Sequence, residues 1–239
     1  MMLYVEDNDQ YFPFSDSGSP VGWGVGRPDY VWYELIVPYI GSYTPTESPF
    51  DPFKISQQHL DPLTGAQLSQ KDPNYWYAVA ERSNIGLNFE FLSPWTYDNN
   101  RIHWPMSSRP TGMGQVAQPS KTLLFASSVW DRDSNGQPVG GGSWTIEAPC
   151  FRDSNGTLLE PMKSIGITWY TYGGWTPGSQ SFLQYGAMWP WFKPQKFQYM
   201  MLDGTVRATD LGPLTAGCDV QPHGTGRAFD GDAYIWDLR

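Results

Sequence analysis

The run Phe197-Gln198-Tyr199-Met200-Met201-Leu202-Asp203-Gly204-Thr205-Val206-Arg207-Ala208 leaves a chain few choices. Two strand-favouring stretches flank Asp-Gly, whose residues tolerate positive φ and close a tight hairpin. The run therefore predicts two antiparallel strands near the end of the chain. Further strands are predicted upstream. Leu123-Leu124-Phe125-Ala126-Ser127 is a short apolar run entered through Pro119, as buried strands are. Arg-Asp-Ser-Asn-Gly occurs at 132–136 and again 20 residues later at 152–156. Each copy predicts a β-hairpin turn. Residues 163–172 are rich in β-branched and aromatic side chains and predict another strand.

Helix signals are few. Met1-Met2-Leu3-Tyr4-Val5 favours a helix with one apolar side. Glu6-Asp7-Asn8-Asp9 then competes with the helical backbone, and the residue before Pro13 is pushed out of the α region. The chain thus opens in the last turns of a helix. A second helix is predicted over residues 30–40, with Asp29 as its cap, Val31, Leu35 and Ile36 at helical spacing, and Pro38 limiting its length. Residues 13–29 predict a loop. Residues 41–75, punctuated by Pro45, Pro49, Pro52, Pro62 and Pro73, predict a long surface excursion. Residues 173–192 predict an exposed loop rich in Gly and Trp.

Composition agrees with a loop-rich globular chain. Of 239 residues, 16% are charged and 16% aromatic, with 25 Gly and 21 Pro. The aromatic content argues against disorder. A net charge of −9 disfavours a nucleic-acid partner, because no basic patch offsets the phosphates. No signal peptide and no apolar run of about 18 residues is visible.

Six segments, in order, carry a resemblance. They are Met1 to Pro13; Trp32, Leu35, Pro38, Tyr39 and Ile40; Ser83 to Asn88; Pro119 to Ser127; Leu202-Asp203-Gly204-Thr205-Val206; and Tyr234-Ile235-Trp236-Asp237-Leu238. Together they resemble bacterial type IV pilins and type II secretion pseudopilins, in the subfamily with prepilin-type cleavage and a C-terminal His-x9-Asp-Gly domain. Two departures stand out. Lys193 occupies the position of that histidine, and the subfamily's Cys-Pro pair is replaced by Asp51-Pro52.

The resemblance implies a single α+β pilin-like head over 1–239. It would comprise the stub of a long N-terminal helix (1–12), one short helix, and an antiparallel sheet with long loop insertions. It implies a structural, non-catalytic subunit of a pilus or pseudopilus-like filament serving secretion, adhesion or motility. The missing hydrophobic helix would anchor the chain in the inner membrane and then pack with like subunits. The head would lie on the periplasmic or extracellular face. Met1, Met2, Leu3 and Val5 would be left exposed as a remnant of that assembly.

Candidate sites are sparse. Cys150 and Cys218 lack metal-site spacing and are either separate thiols or, in an oxidising compartment, a pair; the resemblance favours such a compartment. Asp131, Asp133 and Asn135 fit the first half of a calcium loop, alternating oxygens followed by Gly136. The twelfth position of that loop is Gly142 instead of Glu. Calcium-binding heads among the pseudopilins make calcium the one cofactor to consider. Asp219, Asp230 and Asp232 form a second carboxylate group, readable as solvated loop residues. His59, His103 and His223 sit in loop-like contexts, and no hydrolase, zinc-protease or phosphate-loop motif appears. Trp175, Trp189 and Trp191 head an aromatic set that would fill the core, form a protein interface, or stack on sugar rings. The rival reading is therefore a secreted carbohydrate-binding or adhesive module, and a carbohydrate-active enzyme with paired carboxylates is a third.

Overall fold

The computed structural model describes residues 1–15, 31–41, 48–51, 67–69, 71–72, 75–80, 83–96, 107–108, 110–129, 131–132, 138–159, 184–192, 196–221 and 225–239. Within these, 76–77, 95–96, 107–108, 131–132, 138–140 and 184 are described as backbone only.

The chain opens in a helix as its first residues predict, but α1 (Met2–Asp7) ends short of the expected stub at 1–12. Asp9 and Gln10 then take positive φ of 52° and 66°, which reverses the chain. The Gln10 N–H donates to the Val5 carbonyl at 3.0 Å. The expected exposure of all four apolar residues is corrected. Val5 is fully buried, Met1 and Met2 are half-buried, and Leu3 alone is exposed, at 61%. Helix α2 (Trp32–Ile40) matches the second predicted helix, with Pro38 in its last turn. Its cap differs from expectation. Val31 occupies the N-cap without a side-chain bond, and Asp29 lies outside the described residues. Gly41 ends the helix at φ 71°, a left-handed conformation that glycine adopts without a Cβ penalty.

Among the described residues, three further α-helical segments add to the one short helix that was expected. They are α3 (Tyr75–Ala80), α4 (Phe89–Leu92) and α5 (Gly212–Thr215). All four residues of α4 are buried.

The main sheet has five strands in the order β10-β9-β4-β1-β7. They are β1 (Ile85–Asn88), β4 (Leu123–Ser127), β7 (Thr145–Ile146), β9 (Phe197–Met201) and β10 (Val206–Thr209). Three of the four neighbouring pairs are antiparallel, and β7 runs parallel to β1. The fold is thus α+β with a mostly antiparallel sheet. The Asp-Gly hairpin forms as predicted, with Gly204 at φ 87° and Asp203 Oδ1 accepting the Thr205 N–H at 2.8 Å. That bond, and next one from the Thr205 side chain, favour the charged carboxylate and hold Asp203 below its ordinary pKa.

The described residues also form three two-stranded sheets: β2 (Trp95–Thr96) with β3 (Ser107–Ser108), β5 (Asp131–Arg132) with β6 (Pro138–Gly140), and β8 (Cys150–Asp153) with β11 (Gly226–Ala228). The first two are antiparallel and the last is parallel. The second Asn-Gly repeat sits at a chain reversal, closed by an antiparallel bridge from Arg152 to Leu158. Residues 133–136 of the first repeat lie outside the described residues. The predicted strand at 163–172 lies outside the described residues.

Cys150 and Cys218 form a disulfide spanning 68 residues of sequence. It ties β8 to the turn after α5. Replacing both cysteines by serine should lower the unfolding free energy by about 2–4 kcal/mol, mostly by freeing the unfolded chain. Non-reducing urea melts of parent and double variant measure this. A reductant should close the gap between them, and equal midpoints without reductant would show that the cross-link contributes nothing.

Candidate functional site

Register places Leu87, Phe125, Met200 and Val206 in one row across β1, β4, β9 and β10. Such a row shares one face of a sheet. Its first members are covered by α2. The Trp32 ring lies 5.0 Å from the Phe125 ring, and Trp32 Nε1 donates to the Trp144 carbonyl. Leu87 is accordingly fully buried, whereas Val206 at the far end is 64% exposed. Helix α2 covers one half of the face and leaves the other half open.

The open half is a cleft of about 170 Å³. Its floor includes Ile85, Phe125, Met200 and Val206, and its walls are Ser48-Pro49 and Trp191-Phe192. Phe50, 49% exposed, packs edge-to-face on Phe192 at 5.1 Å. Two polar groups at the rim, Asn84 and Ser127, are committed to structure. Asn84 accepts the Ser48 N–H at 2.7 Å and donates to Asp51 Oδ2 at 2.6 Å. Ser127 Oγ donates to the Trp189 carbonyl at 2.8 Å and accepts the Gln198 N–H at 3.1 Å. A largely apolar cleft suits contact with another apolar surface. Among the described residues, no carboxylate lines it.

The tryptophans expected on a surface loop are placed as follows. Trp191 is buried at 6%, a correction to its expected exposure, and its Nε1 donates to the Ser128 carbonyl at 2.7 Å. Trp189 is half-buried. Their rings stand 67° apart, which is not the coplanar platform that sugar stacking uses. Trp175 lies outside the described residues. So do Asp133, Asn135 and the side chain of Asp131, the candidate calcium ligands, along with His59, His103, His223 and Lys193. Asp219, Asp230 and Asp232 do not converge. Asp230 Oδ1 accepts the N–H groups of Asp232 (3.0 Å) and Ala233 (3.3 Å), and no group of three His, Cys, Asp or Glu among the described residues is arranged to hold a metal.

A buried polar cluster was not anticipated. Glu90 and Glu147 are both inside, 0% and 7% exposed. Glu90 Oε2 accepts the Ala148 N–H. Burial pushes the Glu147 carboxyl up to about 8. Burial, and next the nearby Glu90 charge, raise the Tyr234 hydroxyl well above its ordinary value. That hydroxyl sits on the backbone of Cys150, donating to its carbonyl and accepting its N–H at 3.2 Å. Asp237 is also raised by burial, opposed by Arg239, whose Nε donates to Asp237 Oδ2 at 2.5 Å. Acidic letters carry no burial signal in sequence, so only packing reveals this cluster.

No family model, curated protein or solved structure matches this chain.

Proposed function

We propose that this chain is the head of a pilin-like filament subunit with no catalytic role, acting in secretion, adhesion or motility. The placement of α1 supports this most. Tyr4 and Val5 are buried in the main core, and the Tyr4 ring meets Tyr39 of α2 edge-to-face at 5.8 Å. The N-terminal helix is therefore docked on the same helical layer that covers the antiparallel sheet. A filament subunit needs that join, because its anchoring helix must enter the head rigidly to carry load. The Cys150–Cys218 disulfide is consistent with life outside the reducing cytoplasm. Among the described residues no helix is long and apolar enough to cross a membrane, so the reading requires an apolar helix encoded upstream of Met1. That helix would hold the subunit in the inner membrane and then self-associate. The cleft beside β10 would contact a neighbouring head.

N-terminal sequencing of the protein taken from its native envelope, with immunogold labelling of surface fibres, tests this. The expected result is a mature N-terminus in an apolar helix upstream of Met1, with label along fibres. A mature N-terminus at Met1, with label on no fibre, would overturn it.

A further inference from the structure

The two Arg-Asp-Ser-Asn-Gly repeats differ in the residue after the glycine. The first continues to Gln137 and the second to Thr157. Only the second completes Asn-x-Ser/Thr, the acceptor signature for N-glycosylation at Asn155. It also places Asp153 two residues before the asparagine. A carboxylate at that position offers a charge-assisted contact to a basic group of the transferase.

The structure presents this pentapeptide at a hairpin tip. Ser154, Asn155 and Thr157 are exposed. Asp153 Oδ1 accepts the N–H groups of Asn155 (2.9 Å) and Thr157 (2.8 Å), so all three signature residues share one turn. Two arginines hold its carbonyls: Arg152 Nη1 donates to Gly156 at 2.8 Å and Arg227 Nη1 to Ser154 at 3.2 Å. Among the described residues, no hydrogen bond engages the Asn155 carboxamide or the Thr157 hydroxyl. The neck of the hairpin begins at Cys150, whose disulfide belongs to the oxidising side of a membrane, where glycan transfer also occurs.

We propose that Asn155 is an N-glycan acceptor, modified by an oligosaccharyltransferase from a polyprenyl-diphosphate-linked oligosaccharide. Asn155 Nδ2 attacks the anomeric carbon of the reducing-end sugar. The new N–C bond forms as the anomeric C–O bond breaks. The polyprenyl diphosphate leaves with the bonding pair, and one amide proton passes to a base of the transferase. No oxidant or reductant is needed. Asn135, followed by Gly136 and Gln137, is not an acceptor. The proposal requires export, which the filament reading shares, but it does not require assembly.

The full chain, carried behind a cleavable export signal, is expressed in a Gram-negative host with a single-subunit bacterial oligosaccharyltransferase and an undecaprenyl-diphosphate-linked heptasaccharide. Intact mass should show one added glycan, and peptide mapping should place it on Asn155. Asn155→Gln and Thr157→Ala should lose it. Asp153→Asn keeps the Oδ1 acceptor of the turn but removes the charge, and it too should lose the glycan. Unchanged thermal midpoints of the unglycosylated variants would show that folding is intact. An exported, disulfide-bonded parent that carries no glycan refutes the site, as does a glycan that survives Asn155→Gln. Because the signal drives export here, either result leaves the filament reading standing.

Discussion

Glu147→Gln should raise the unfolding free energy at pH 8 by about 3–5 kcal/mol and flatten the pH dependence of stability between pH 4.5 and 8. The folded carboxyl is pushed up to about 8 from an ordinary 4.5 because it is buried. Between those values the folded protein holds a proton that the unfolded chain has released. Stability therefore falls as pH rises: the contribution is fully present below about pH 4.5 and is lost by about pH 8. Glutamine keeps the shape and never ionises, so the variant should match the parent at pH 4.5 and exceed it at pH 8. In a chain of this size the gain corresponds to on the order of 10 °C in midpoint. Asp237 and Glu34, also raised by burial, add slope of the same sign in both proteins and so cancel from the difference between the two curves, which reports Glu147 together with its buried carboxylate neighbour. Parallel curves from pH 4.5 to 8 would show that Glu147 is solvated in the folded state.

This cluster also marks where sequence reasoning stops. Features with local causes were legible. The β9–β10 hairpin follows from Asp203-Gly204, β4 from an apolar run after Pro119, and α1 and α2 from apolar spacing with breakers at their ends. The features that escaped depend on distant neighbours. Phe89–Leu92 continues the apolar run of β1, yet it closes into a helical turn, and short apolar runs do not distinguish the two. The parallel pairs β1–β7 and β8–β11 join segments with no turn between them to announce the partnership. Gly142 carries a comparable constraint. A Cβ there would collide with the Ser83 carbonyl oxygen, a contact set by a segment far away in the chain. The candidate site divides in the same way. Two cysteines permit a pair, but only the fold brings β8 beside the turn after α5. The aromatic set was visible, but its division into a buried Trp191 and a half-buried Trp189 was not.

Trp236→Ala should be the most damaging single truncation in the C-terminal tail. The tail resembles a strand in composition but joins no sheet. It is held by individual bonds: the Leu123 N–H to the Ile235 carbonyl at 2.6 Å, the Ala117 N–H to the Leu238 carbonyl at 2.7 Å, and Asn88 Nδ2 to the Trp236 carbonyl at 2.8 Å. Trp236 itself is fully buried, and its Nε1 donates to the carbonyl of Leu214, a residue also fully buried. Truncation removes the ring from the core, which costs about 3–5 kcal/mol. It also strands the Leu214 carbonyl, which adds about 1–3 kcal/mol. Against a total of roughly 5–15 kcal/mol for a natural domain, this approaches loss of the fold. Urea midpoints read the effect, and Trp236→Phe separates its parts. Phenylalanine keeps most of the apolar volume and gives up the N–H, so it should lose little beyond the carbonyl term. A loss under about 1 kcal/mol in the alanine variant would mean that the tail packs on the head without belonging to its core. Equal losses in both variants would assign the whole effect to one hydrogen bond.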